Sequence, residues 1–186
     1  MRSTLFPLAA TTAVQLLASM ALVTVPVFAP VAARDVGLSA ALLSLFVSVS
    51  YCTSMVASLF AGALERRGGA IRVSQLSLGL CARGMASVAA GSPGLVFAGA
   101  VLVGIGYAPI TPASSHILAR TTPASMMSFV FSLKHTGVPL GGAAAGALVP
   151  VLVLWGGWRF AALAVGLACL AVALLTQPLR RELDDD

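Results

Sequence analysis

The side chain hardest to explain as packing is Lys134, set in the otherwise apolar stretch Phe131-Ser132-Leu133-Lys134-His135. Counted from Pro123 it lies 11 residues in (134 − 123), roughly 16 Å at the helical rise and close to the middle of a hydrocarbon layer about 30 Å thick. An unpaired ammonium there costs at least about 2.5 to 3.5 kcal/mol, so it needs water or a counter-charge. No acidic residue of the chain falls at that depth. Two readings stay open: Lys134 serves an anionic solute directly, or it is held neutral or paired with an acid from a second unit. His135, Tyr107, Arg83 and Gln15 complete the candidate solute-binding set. Each has a plainer role beside it. Arg83 is about eight residues from the end of its apolar run and can snorkel to the surface. Gln15, Gln75 and Tyr107 can serve as hydrogen-bonding handles between helices.

Other chemistries fit poorly. Ser114-Ser115-His116 invites a hydrolase reading, yet adjacent side chains on a helix diverge by about 100°, so Ser115 and His116 cannot form a nucleophile and base pair within one helix. No serine has the strained elbow an intramembrane hydrolase would show, and the chain reads as a non-enzyme. Cys52, Cys81 and Cys169 stand in three different apolar runs, without a Cys-x-x-Cys pair or a histidine at ligand spacing, and read as packing residues. Neither a metal nor a cofactor is expected.

The elements that must position these residues follow from composition. Of 186 residues 59% are hydrophobic and 9% charged, against about 25% charged in soluble domains, and the mean hydropathy is +0.99. The net charge of +5 comes from scattered arginines with no basic run, which excludes a nucleic-acid surface. Charges and turn residues cut the chain into apolar spans at about 5–32, 38–64, 71–90, 95–118, 124–154 and 160–175, a bundle occupying 1–178 with a polar tail at 179–186. The first stretch is too long for a signal-peptide core and reads as a retained span. Without water, backbone groups must be satisfied internally, and spans of this length without strict alternation choose helices.

With the N-terminus inside, Arg2, Arg66, Arg67, Arg72, Arg120, Arg180 and Arg181 lie on the inner face and only Arg34 and Arg159 on the outer, seven against two. The positive-inside rule then places both termini in the cytoplasm and the tryptophans Trp155 and Trp158 at an outer aromatic belt. Prolines interrupt the first span at Pro26 and Pro30 and the fourth at Pro109 and Pro112, corresponding members of two three-helix units. Such units, the second reversed, form a 3+3 inverted repeat, and paired interrupted helices point to a solute site. Small residues recur along the second span (Ser50, Ser54, Ser58, Gly62) and the fifth (Gly137, Gly141, Gly142, Ala145, Gly146), faces suited to close helix partners within the chain or in another six-helix unit.

Two segments carry a resemblance. Ala61-Gly62-Ala63-Leu64-Glu65-Arg66-Arg67-Gly68-Gly69 resembles the loop signature G-x-L-a-D-R-x-G-r of the major facilitator superfamily, with Ala61 in place of the first glycine and Gly69-Ala70 in place of the basic pair. Phe131 to Gly142, including Pro139, is similar to the fifth helix of cyanate-permease-like bacterial members. The resemblance implies an all-α integral membrane protein corresponding to the N-terminal six-helix half of a secondary transporter, in the bacterial inner membrane. Such a half moves a small solute by alternating access and works with a C-terminal half or a second copy. It makes Glu65, Arg66, Arg67 and Gly68 a gating loop that latches helix ends in one access state. Ala100 stands where many members carry an arginine, which argues against proton coupling through that position. The alternatives are a six-helix intramembrane hydrolase and a non-transporting assembly subunit. Reporter fusions after Asp186 and at Ser92 are expected to read cytoplasmic and external, respectively; an external signal at Asp186 would remove both the six-span count and the inverted repeat.

Overall fold

A computed structural model describes the backbone of residues 2–183 and the side chains of residues 5–180. The side chains of Arg2 and Arg181, counted above for orientation, and the tail residues 184–186 lie outside the described residues. The described chain is helical: α1 (Arg2–Val36), α2 (Ala40–Gly68), α3 (Ala70–Ala89), α4 (Pro93–Tyr107), α5 (Ile110–Thr121), a 3-10 turn (Ala124–Met126), α6 (Met127–His135), α7 (Gly137–Leu175) and α8 (Gln177–Leu183).

Among the described residues four stretches are long and apolar enough to cross a membrane: Leu5–Val36, Ala40–Gly68, Pro93–Thr121 and Ala124–Leu175. The last has 52 residues, which straight would span roughly 78 Å, and it is not straight. Gly157, at φ 80° and ψ 173°, leaves the helical region, a conformation that only glycine adopts without strain. Before it, Gly137 sits against Thr12 and Gln15, and Gly141 against Leu16 and Ser19, so this arm runs parallel to α1. After it, Trp158 meets Phe28 and Asp35, whereas Cys169 lies near the carbonyl of Leu17. The second arm therefore runs back antiparallel. Trp158 does not join an outer belt: it is buried, tilted against Phe28 with ring centroids 5.7 Å apart, and donates to Asp35 Oδ2 at 2.9 Å. Trp155 alone is exposed.

Proline positions need two corrections. Pro26 and Pro30 do not interrupt α1, which stays helical through both. The hydroxyl of Thr24, next to them, donates to the Met20 carbonyl at 2.6 Å. Pro109 does separate α4 from α5. The expected fifth span breaks at Thr136 because Pro139, without an N–H and with a ring that crowds the carbonyl four residues back, ends α6 at His135 and occupies the first turn of α7, where an N–H is dispensable.

Small residues set the helix contacts. A Cβ on Gly84 would come within 2.8 Å of the Gly99 carbonyl, and one on Gly106 within 2.6 Å of the Ser77 carbonyl; Gly104 lies against Ser50 and Thr53, and Gly141 against the Leu16 carbonyl. Ser50 donates to the carbonyl of Ala100 at 2.9 Å, and Ala100 is fully buried, a position closed to an arginine unless α2 moves. The expected small-residue rows split. Gly137, Gly141 and Ala145 face α1 or the core, whereas Gly142 and Gly146 meet nothing within 4 Å. Leu179, the first residue of the expected tail at 179–186, is buried with Ala70, Ile71, Ala113 and Ile117 and holds α8 against the bundle. Replacing Gly141 by Ala should lower stability by about 1 to 3 kcal/mol through overpacking, and the same change at Gly142 should be neutral or stabilising; thermal unfolding in detergent, followed by circular dichroism, separates the two.

Candidate functional site

Lys134 closes α6, where the unpaired carbonyls of a helix end favour a cation. It is fully buried. Its ammonium donates to the Thr111 carbonyl at 3.2 Å and to Ser115 Oγ at 2.9 Å, both on α5, and lies 5.8 Å from the Phe131 ring centroid. Among the described residues no carboxylate pairs with it. Its depth differs from the count made from Pro123. Residues 124–126 form a turn and α6 starts only at Met127, so Lys134 stands roughly 10 Å along the helix, nearer the bundle end that carries Glu65 and Thr121.

Gln15 joins this group from α1. Its Nε2 reaches Thr111 Oγ1 at 3.5 Å, the outer limit of a hydrogen bond, and its Oε1 is buried without a partner, as are Thr12 Oγ1 and Ser19 Oγ on the same helix. Buried polar atoms of this kind call for a ligand or water. The structure thus brings together Lys134 and Gln15 through Thr111, a residue with no sequence signal of its own. It does not bring in the other candidates. His135 is exposed on the far side of the α6 end. Tyr107 is half-buried, edge-on to Tyr51 at 6.1 Å between α4 and α2. Arg83 is exposed and lines a separate groove between α3 and the second arm of α7.

The expected gating loop is not a loop: Glu65, Arg66, Arg67 and Gly68 form the end of α2, and Glu65 finds its partner on another helix. Its Oε1 meets His116 Nδ1 on α5 at 2.6 Å, while Arg66 and Arg67 are exposed. Together with Gly68, Arg72 and Arg120 they surround a cavity of about 350 Å³. His116 was weighed in the sequence only as a hydrolase base. The divergence of adjacent side chains, which excluded that role, is what sends Ser115 to Lys134 and His116 to Glu65. Ser115 Oγ in turn donates to the Thr111 carbonyl at 2.8 Å and accepts from Lys134, the reverse of the proton direction a serine nucleophile with a lysine base requires.

A bundle of long apolar helices joined by close glycine contacts is a polytopic membrane protein. The profile of the Major Facilitator Superfamily matches residues 11–185, and the chain belongs to that family, whose members are transporters, not enzymes. No match is found among the curated proteins.

The Glu65 and His116 pair links α2 to α5 at one end of the bundle, with His116 54% exposed and Glu65 10% exposed. A double-mutant cycle with Glu65→Gln and His116→Ala, read by thermal unfolding, should give a coupling of at most about 1 kcal/mol, as for an exposed ion pair. A coupling of zero would show that the two helix ends are held by packing alone.

Proposed function

We propose that the chain is a six-span unit with both termini cytoplasmic, the N-terminal half of a secondary transporter of the bacterial inner membrane, and that it moves a small anionic solute by alternating access. The six spans are α1, α2, α3, α4 with α5, α6 with the first arm of α7, and its second arm. The reversal at Gly157 supports two crossings in the 52-residue stretch. The helix α3, though it carries Arg72 and Arg83, has 20 residues and roughly the 30 Å needed to span.

One observation carries the solute class: Lys134 is buried on neutral acceptors only. Two of its three N–H donors are used, and a carbonyl and a hydroxyl do not neutralise an ammonium. An anion entering between α1, α5 and α6 would supply the missing charge, and a donor group on the same solute would satisfy Gln15 Oε1. Full burial in this conformation describes a closed site, which opens when α5 and α6 separate from α1. The Glu65 and His116 pair at the adjacent helix ends is suited to hold that closure, with Arg66, Arg67 and Gly68 completing the last turn of α2 beside it. A C-terminal half or a second copy supplies the opposite wall, and the exposed face of Gly142 and Gly146 is available to it.

The test is uptake of small labelled anions by the reconstituted protein, co-expressed with any second half. Lys134→Gln should abolish uptake with insertion and abundance unchanged, and Lys134→Arg should restore part of it. Full uptake by the Gln variant would remove Lys134 from the site.

A further inference from the structure

Between α3 and the second arm of α7 runs a groove of about 870 Å³, separate from the Lys134 group. Its walls are Leu76, Leu163, Leu167 and Leu170, all exposed. Its floor includes Gly79, where a Cβ would meet nothing within 4 Å. This glycine differs from Gly84 and Gly106 on neighbouring contacts: it lets no helix approach and leaves space open. At the end near α8 the groove is bounded by Arg72 and Arg180, and among the described residues no acidic one lines it. Gln75 fixes that end, donating to the Ala173 carbonyl at 3.0 Å and to Gln177 Oε1 at 2.7 Å, and so ties α3 to the junction of α7 and α8.

We propose that this groove binds one anionic phospholipid. Its phosphate rests between Arg72 and Arg180, and an acyl chain lies over Gly79 against Leu76, Leu167 and Leu170. The charge pattern selects this occupant. Basic side chains at the mouth of an apolar cleft between membrane helices match an anionic headgroup above a hydrocarbon tail. A protein helix would instead need close-fitting contacts along the whole length, which the open space over Gly79 does not offer. Arg72 already interacts within the fold, and five guanidinium donors allow it a phosphate oxygen as well. From Arg72 to Ala86 the groove extends 14 residues along α3 (86 − 72), roughly 21 Å at the helical rise, which exceeds one leaflet of a core about 30 Å thick. Arg83, 11 residues beyond Arg72, stands roughly 16 Å away along the axis, too far to share that phosphate.

The experiment is native mass spectrometry of the full chain released from micelles that contain dioleoylphosphatidylglycerol or dioleoylphosphatidylcholine. One phosphatidylglycerol should be retained per chain, with a preference over phosphatidylcholine of roughly tenfold or more from two basic side chains. Arg72→Gln with Arg180→Gln should abolish that preference, and Arg66→Gln with Arg67→Gln should leave it intact. Gly79→Leu fills open space and should keep the melting temperature while reducing retention of both lipids. Millimolar inorganic phosphate should not displace the lipid. Equal retention of the two lipids, unchanged retention in Gly79→Leu, displacement by phosphate alone, or a dimer that Gly79→Leu disperses would each overturn the proposal.

Discussion

Helices in hydrocarbon gain nothing from leaving lipid for one another unless they fit closely, and the fit here is made by the absence of side chains. Backbone carbonyls occupy the places where Cβ atoms would stand at Gly84, Gly99, Gly104, Gly106 and Gly141. Through these contacts α3 and α2 seat on α4, and the first arm of α7 seats on α1. Since α1 is the most buried of the apolar helices and α2 the least, the bundle is organised around α1. The Lys134 group follows from this arrangement: Gly137 and Gly141 draw α7 onto α1, and the short helix before them delivers the lysine to α5.

The prolines act by position, not by number. In α1 they sit within a continuous helix. Pro139 stands where its missing N–H would have continued α6, and it ends that helix one residue after Lys134. Ending there, the short helix turns its lysine to α5, where the ammonium meets the Thr111 carbonyl and Ser115 Oγ. Proline placement and the burial of a cation are in this way one feature of the chain.

Much of this was legible in the sequence. The apolar segments, their breaks at Gly37, Gly69, Gly91 and Gly157, and the exceptional standing of Lys134 all follow from residue types, because charge, glycine and length have direct consequences in a membrane. What was not legible depends on which helix faces which. His116 as the partner of Glu65, Thr111 as the bridge between Gln15 and Lys134, and Trp158 as a buried ligand of Asp35 lie 51, 96 and 123 residues from their partners. No local pattern marks such pairs. The depth of Lys134 was misread because counting at 1.5 Å per residue treats the turn at 124–126 as part of the helix. The burial of Leu179 was not legible because a single leucine between Pro178 and Arg180 gives no periodic signal.

Ser115 and His116 are neighbours on one rigid turn of α5, one joined to α6 through Lys134 and the other to α2 through Glu65. A helix turns about its axis as a body, so a rotation of α5 reaches both contacts at once. Any rotation that shortens one swings the other through the same angle. The arrangement is a two-armed lever whose fulcrum is the α5 axis, with an acid on one arm and an ammonium on the other. Were a partner to turn α5 by pulling one arm, the base of the other would turn through the same angle, and a coupling arising in that way would be reciprocal.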